Sequence, residues 1–167
     1  MMKIVFLDID GVLNNDENLN NDDALNDKLI TILTELVKLS HARIVLTSSW
    51  RCFPDTIAKI MDRFAKFDLT LFSITREGIP YEELKDTPWE GIKPCPRYDL
   101  DDEVCNDRGA EIAAWLLEHK DFNIEKFVII DDEIDDIKSY FPNNYVQTNF
   151  STGLTWDNLN AALKILE

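Results

Sequence analysis

The stretch Ile4-Val5-Phe6-Leu7-Asp8-Ile9-Asp10-Gly11 decides how this chain is read. Four consecutive apolar residues make a short strand buried on both faces. The strand ends in two carboxylates and a glycine. Side chains two apart on a strand share a face, so Asp8 and Asp10 can converge on one spot. Gly11 lets the chain turn away with no Cβ in its path. Two carboxylates repel by about 4 kcal/mol at roughly 4 Å and an effective dielectric near 20. A fold that keeps such a pair offsets the repulsion with a cation or a shared proton. Taken alone, the stretch also fits a solvated turn, where Asp and Gly are common. The rest of the chain separates the two readings.

Working outward, Asn14 to Asp22 is a polar, asparagine-rich loop without periodicity. Helical spacing begins near Leu25 and runs through Leu29, Ile32, Leu33 and Leu36, with Asp22 or Asp23 as the expected cap. Ile44-Val45-Leu46 is the next apolar run, stopped by Thr47-Ser48-Ser49-Trp50-Arg51. Pro54 opens a second helix carrying Ile57, Ile60, Met61 and Phe64. Leu69 to Ile74 alternates and reads as a strand. Arg76 to Asp107 is irregular, with Pro80, Pro88, Pro94 and Pro96 and an acidic run from Asp99 to Glu103. Helical pattern returns at Ala110, Ile112, Ala113, Trp115 and Leu116, behind Asn106 or Asp107 as cap. Phe127-Val128-Ile129-Ile130 is an apolar strand ending in Asp131-Asp132, and a short helix is expected after it. Tyr145-Val146-Gln147 reads as the last strand, and Thr155 as the cap of a terminal helix.

Apolar strands alternating with amphipathic helices predict an α/β fold with a central parallel sheet covered on both faces. Ligands of such sheets sit beyond the carboxyl ends of the central strands. Three strand ends carry polar residues here: Asp8/Asp10, Thr47/Ser48 and Asp131/Asp132.

The 167 residues suit a single domain spanning 1–167. No stretch approaches the roughly 20 apolar residues of a membrane helix. The first residues do not read as a signal peptide. Cys52, Cys95 and Cys105 lack metal or disulfide spacing, so a cytoplasmic protein is expected. A net charge of −15 repels nucleic-acid phosphates and disfavours nonspecific binding to them. His41 and His119 border apolar helices away from every motif and suit surface roles, while Trp115 belongs to a helical core face.

These motifs together resemble the haloacid dehalogenase (HAD) superfamily of phosphatases, over nearly the whole chain. Asp8-Ile9-Asp10-Gly11-Val12-Leu13-Asn14 is similar to its first motif, Ile44-Val45-Leu46-Thr47 to its second, and Ile129-Ile130-Asp131-Asp132, with Asp135 and Asp136, to its acidic fourth. The third motif is usually a lysine; Arg108 is the best match and Lys93 the substitute. Thr47-Ser48-Ser49-Trp50-Arg51, the helix from Arg108 to Leu116 and Gly153-Leu154-Thr155 are similar to small HAD domains linked with RNA-repair proteins. The resemblance implies a Rossmann-like three-layer α/β/α sandwich, the HAD core, with no full cap domain.

It also implies a Mg²⁺-dependent phosphohydrolase that works through an aspartyl-phosphate. Asp8 is the expected nucleophile. Asp10 is the expected acid toward the departing alcohol and then the base toward water. Mg²⁺ takes oxygen ligands, so Asp8, the backbone carbonyl of Asp10, and Asp131 or Asp132 form the expected metal set. Thr47 would donate to a phosphate oxygen, with Ser48 and the following N–H groups as a nest, and Arg108 would balance the phosphoryl charge. Arg51 is the candidate for binding the rest of the substrate. Each has a plainer reading: an acidic turn at a helix start for Asp131 to Asp136, a β-branched strand end for Thr47, a solvated arginine for Arg108. Asp135 and Asp136 stay open, since either could simply cap a helix.

An uncapped site implies, by family analogy, a large phosphomonoester such as a polynucleotide terminal phosphate. Arg51, Arg76, Lys85, Lys93 and Arg97 could form a basic funnel, against the overall charge. Two rival readings remain: dehalogenation or transfer to another acceptor, which the Asp10 and metal-acid pattern disfavours, and a noncatalytic metal- or partner-binding module.

Overall fold

A computed structural model of the chain describes residues 1–18, 24–93 and 104–167. The first half runs β1 (Met2–Leu7), α1 (Asp27–Ser40), β2 (Arg43–Leu46), α2 (Pro54–Ala65) and β3 (Leu71–Ile74). The second runs β4 (Ile79–Pro80), β5 (Val104–Cys105), α3 (Arg108–Glu118), β6 (Ile124–Asp131), β7 (Tyr145–Gln147) and α4 (Trp156–Leu166). Five strands form one parallel sheet in the order β3-β2-β1-β6-β7, and β4 and β5 pair antiparallel apart from it.

The period of two along β1 sorts its side chains between two cores. Val5 and Leu7 pack with residues of α1, α2 and α4 on one face. Ile4 and Phe6 pack with Ile112, Ala113 and Trp115 of α3 and with Ile137 and Phe141 on the other. Trp115 is buried there, edge-on to Phe6 with ring centroids 5.3 Å apart. The result is the expected α/β/α sandwich, and among the described residues there is no additional domain.

Several local expectations shift. The cap of α1 is Asn26, whose side chain accepts the Lys28 N–H at 3.0 Å; Asp22 and Asp23 lie outside the described residues, as do Pro94 to Glu103. The strand expected from Leu69 begins only at Leu71, because Leu69 N–H is spent on the Phe64 carbonyl at the end of α2. After Asp132 no helix forms: residues 135–140 are successive turns. Pro54 does open α2, and Thr155 caps α4 in a reciprocal box with Asn158. No described helix is long and apolar enough to cross a membrane.

The sheet ladder continues one residue past the strands, and this places the site. Asp8 N–H donates to the Ile130 carbonyl at 3.0 Å and Thr47 N–H to the Leu7 carbonyl at 2.9 Å. Thr148 N–H donates to the Asp131 carbonyl at 2.9 Å. Asp8, Thr47 and Asp131 therefore leave the sheet side by side at its carboxyl edge.

Candidate active site

A cleft of about 250 Å³ opens at that edge, lined by Asp8, Asp10, Ser49, Arg108, Asp131, Asp132, Glu133, Asp136 and Phe150. Carboxylate oxygens of Asp8, Asp131 and Asp132 lie within 4.8 Å of one another. Oxygen atoms this close suit a small divalent cation that prefers hard ligands. Gly11 makes room for them: its φ is +67°, and a Cβ there would stand 2.6 Å from Asp132 Cγ. Only glycine meets both demands cheaply.

Proton affinities record the crowding. Burial, reinforced by the charge of Asp8, pushes the Asp131 carboxyl well above the usual carboxylate range despite Arg108 beside it. Burial and the charges of Asp8 and Glu133 raise Asp132 to about 6. Burial by itself would lower the Arg108 guanidinium, but the charges of Asp8 and Asp131 outweigh it and keep it cationic. Arg108 Nη1 reaches Asp8 Oδ1 at 3.0 Å and Asp131 Oδ2 at 2.8 Å, joining the first and fourth motifs through one cation.

Arg108 is aimed by the start of α3. Asp107 occupies the cap position but makes no capping bond with its side chain. The cap comes instead from Asp136, whose Oδ2 accepts the Arg108 N–H at 2.8 Å and whose carbonyl accepts the Gly109 N–H at 3.1 Å. Both donors belong to the unpaired first turn of a helix, where negative charge is favourable. A Cβ on Gly109 would lie 2.6 Å from that carbonyl and clash with the Tyr140 ring, so glycine lets α3 seat directly on the 135–140 turn. Asp135, by contrast, points to Lys138 at 2.7 Å on the surface.

Asp10 is gripped by neutral donors. Asn14 Nδ2 donates to its Oδ1 at 2.7 Å, and Trp50 Nε1–H lies 3.2 and 3.1 Å from Oδ1 and Oδ2. Asn14 also accepts the Gly11 N–H at 2.9 Å, so one amide fixes both the turn and the acid that follows it. Thr47 is fully buried, and its hydroxyl has no hydrogen-bond partner. Such an orphan costs about 1–3 kcal/mol unless a ligand or water satisfies it. Ser48 is buried too, its hydroxyl accepting the Trp50 N–H at 3.4 Å. Ser49, not Ser48, lines the cleft.

The cations of the supposed funnel are placed differently. Arg51 is buried against Glu111, Arg76 pairs with Glu83 and Glu118, and Lys85 lies 3.5 Å from Glu82. Lys93 lines a separate groove with Tyr81 and Trp89, and Arg97 lies outside the described residues. Among the described residues, Arg108 is the cation lining the cleft. Of the histidines, His41 is exposed and His119 stacks on Trp115 with centroids 4.0 Å apart. Cys52 and Cys105 are free thiols, one exposed and one buried.

Asn14, Ser49 and Trp50 stand inside the quoted motifs without a role of their own, and Phe150 escaped the sequence reading. A tryptophan outside any apolar period, directly after a strand-ending Thr-Ser-Ser, was a usable signal for Trp50. Nothing local marks Phe150.

No curated protein matches the chain at a significant level. A family model does, and it covers β1 through most of α4, including every residue that meets in the cleft: the model of the HAD domain in Swiss Army Knife RNA repair proteins matches residues 4–159, and the chain belongs to that family.

Proposed function

We propose that the protein is a Mg²⁺-dependent phosphomonoester hydrolase working through an aspartyl-phosphate on Asp8. The observation that carries this reading is the convergence of Asp8, Asp131 and Asp132 beside Arg108, at the sheet edge where Thr47, its buried hydroxyl unpartnered, follows the neighbouring strand. The donor set fits Mg²⁺: the Asp8, Asp131 and Asp132 carboxylates are all hard oxygens, and the Asp10 carbonyl would add another. When bound, Mg²⁺ would neutralise charge on the phosphoryl oxygens and on the crowded carboxylates.

The chain's own residues would then divide the work. Asp8 attacks phosphorus, and Arg108 offsets the negative charge of the nucleophile and the phosphoryl group. Thr47 donates its hydroxyl to a phosphoryl oxygen and so gains the partner it lacks. Asp10, held by Asn14 and Trp50, gives its proton to the departing alcohol. As a carboxylate it next takes a proton from water; the water oxygen attacks phosphorus and Asp8 is released. A cleft of about 250 Å³ holds a phosphoryl group and a few waters but no large body, so the remainder of the substrate lies outside it. Membership in a family of RNA repair proteins favours a polynucleotide terminal phosphate for that body. Ser48 would contribute through its place in the loop after Thr47, its hydroxyl being engaged with Trp50.

The test is Mg²⁺-dependent phosphate release across phosphosugars, nucleotides, phosphopeptides and end-phosphorylated oligonucleotides, run beside Asp8→Asn. Turnover is expected in the parent protein only, with fluoroberyllate bound at Asp8. Equal release by a deamidation-free Asp8→Asn protein rules the mechanism out, and no release by either protein leaves the noncatalytic metal-binding reading standing.

A further inference from the structure

Arg51 follows directly on the second motif, yet its side chain runs inward. It is 4% exposed and that of its partner Glu111 is 7% exposed. Nε–H donates to the Thr75 carbonyl at 2.9 Å, Nη1–H to the Thr47 carbonyl, and Nη2–H to Glu111 Oε2 at 2.7 Å. These acceptors belong to three elements. Thr47 stands just past β2, Thr75 just past β3, and Glu111 in the first turn of α3. One guanidinium thus ties two strand ends to the helix that carries Arg108. On its other side the same turn is fastened by Asp136. The cavity beside Arg51 shares Ser49, Arg108 and Asp136 with the catalytic cleft, so the brace stands directly behind the site.

We propose that Arg51 and Glu111 are positioning residues: the buried pair holds Thr47 and Arg108 in register with Asp8 and does not itself touch substrate. This rests on the reading of the cleft as a phosphoryl-transfer site. The chemistry asks for arginine, because each of the three acceptors meets a different nitrogen of one rigid planar fork, whereas an ammonium has all its donors on a single nitrogen. Stability is a poor reason for such a pair, since replacing a buried ion pair with apolar residues of similar volume is often neutral or stabilising. Burial pushes the Glu111 carboxyl up to about 7, helped by the like charges of Glu77 and Asp136, although Arg51 and Arg108 pull it down. Its ionised form is therefore held at a cost to the fold. A costly pair next to the site is explained by what it aligns.

The experiment compares wild type, Arg51→Met/Glu111→Leu and Glu111→Gln in melting temperature, kcat, KM and fluoroberyllate affinity by fluorine NMR. The double variant should melt at or above the wild-type temperature while kcat drops about 100-fold, the scale of a displacement near 1 Å. KM should change little, fluoroberyllate should bind more weakly, and Glu111→Gln should show the same split to a lesser degree. Wild-type kcat and fluoroberyllate affinity in both variants overturns the proposal. So does a melting temperature that falls in step with kcat in both, the mark of a merely structural pair. If the double variant does not fold, the volume-conserving Glu111→Gln decides by the same readouts. If wild type releases no phosphate from any substrate, the hydrolase reading fails, and fluoroberyllate affinity alone then judges the brace.

Discussion

With divalent cations chelated, this protein should lose stability as pH rises, against the usual behaviour of a protein rich in paired carboxylates. The cause is burial: Glu111 is raised to about 7, Asp132 to about 6, and Asp131 and Asp136 are raised as well. A carboxyl with a raised value in the folded state binds its proton more tightly folded than unfolded. Its stabilisation is complete below the unfolded value, near 4.5 for Glu111, and is lost as pH climbs through the folded one. Each pKa unit corresponds to about 1.4 kcal/mol, so Glu111 alone accounts for a loss of about 3 kcal/mol between pH 4.5 and 7. Asp132 adds less, because it is only half-buried and solvent screens it more. For a chain of this size about 3 kcal/mol lowers the melting temperature by roughly 6–12 °C. Calorimetry in a chelator from pH 5 to 8 measures the fall directly. Mg²⁺ at pH 8 should restore the share due to Asp131 and Asp132 but not that of Glu111, which holds none of the cation. Glu111→Gln should flatten the chelator profile by its own share. A melting temperature that stays level or rises from pH 5 to 8 in chelator refutes the reasoning, as does an undiminished fall in Glu111→Gln.

Gly11→Ala should weaken Mg²⁺ binding at least tenfold, measured as a reduced Mg²⁺-dependent thermal shift, because the new Cβ, carried on a left-handed backbone at position 11, displaces Asp132. Arg108→Ala should lower kcat by about 10²–10³ with little change in KM, and Arg108→Lys should keep part of the rate through a single point charge. Steady-state kinetics at saturating Mg²⁺ checks both, and a silent Arg108→Ala removes Arg108 from the site chemistry.

The strands and the carboxyl edge of the sheet were legible because their signals are local. A run such as Phe127-Val128-Ile129-Ile130 is apolar on both faces wherever it is buried, and Asp131 at its end is polar wherever it emerges. The start of α4 was legible because its cap, Thr155, lies within the segment, whereas at α1 several local Asn and Asp residues compete and the cap proved to be Asn26. The cap of α3 was not, because it comes from Asp136, 28 residues downstream. Nor was the turn after Asp132: its residues suit a helix, but Gly109 of α3 packs directly on the backbone there.

From its own order of residues the chain determines which side chains stand at the sheet edge, since strand period and glycine placement need no distant partner. Tertiary structure alone decided what those side chains do to one another. Trp50 meets Asp10 across 40 residues, and Arg51 meets Glu111 across 60. Arg51 shows the difference most clearly: its sequence position puts it beside the second motif, facing a substrate, but a guanidinium can turn either way. It turns inward because two strand-end carbonyls and a buried carboxylate, brought together only when β2, β3 and α3 have packed, offer it fixed acceptors, one of them an ion-paired carboxylate whose bond is stronger than one to a neutral group.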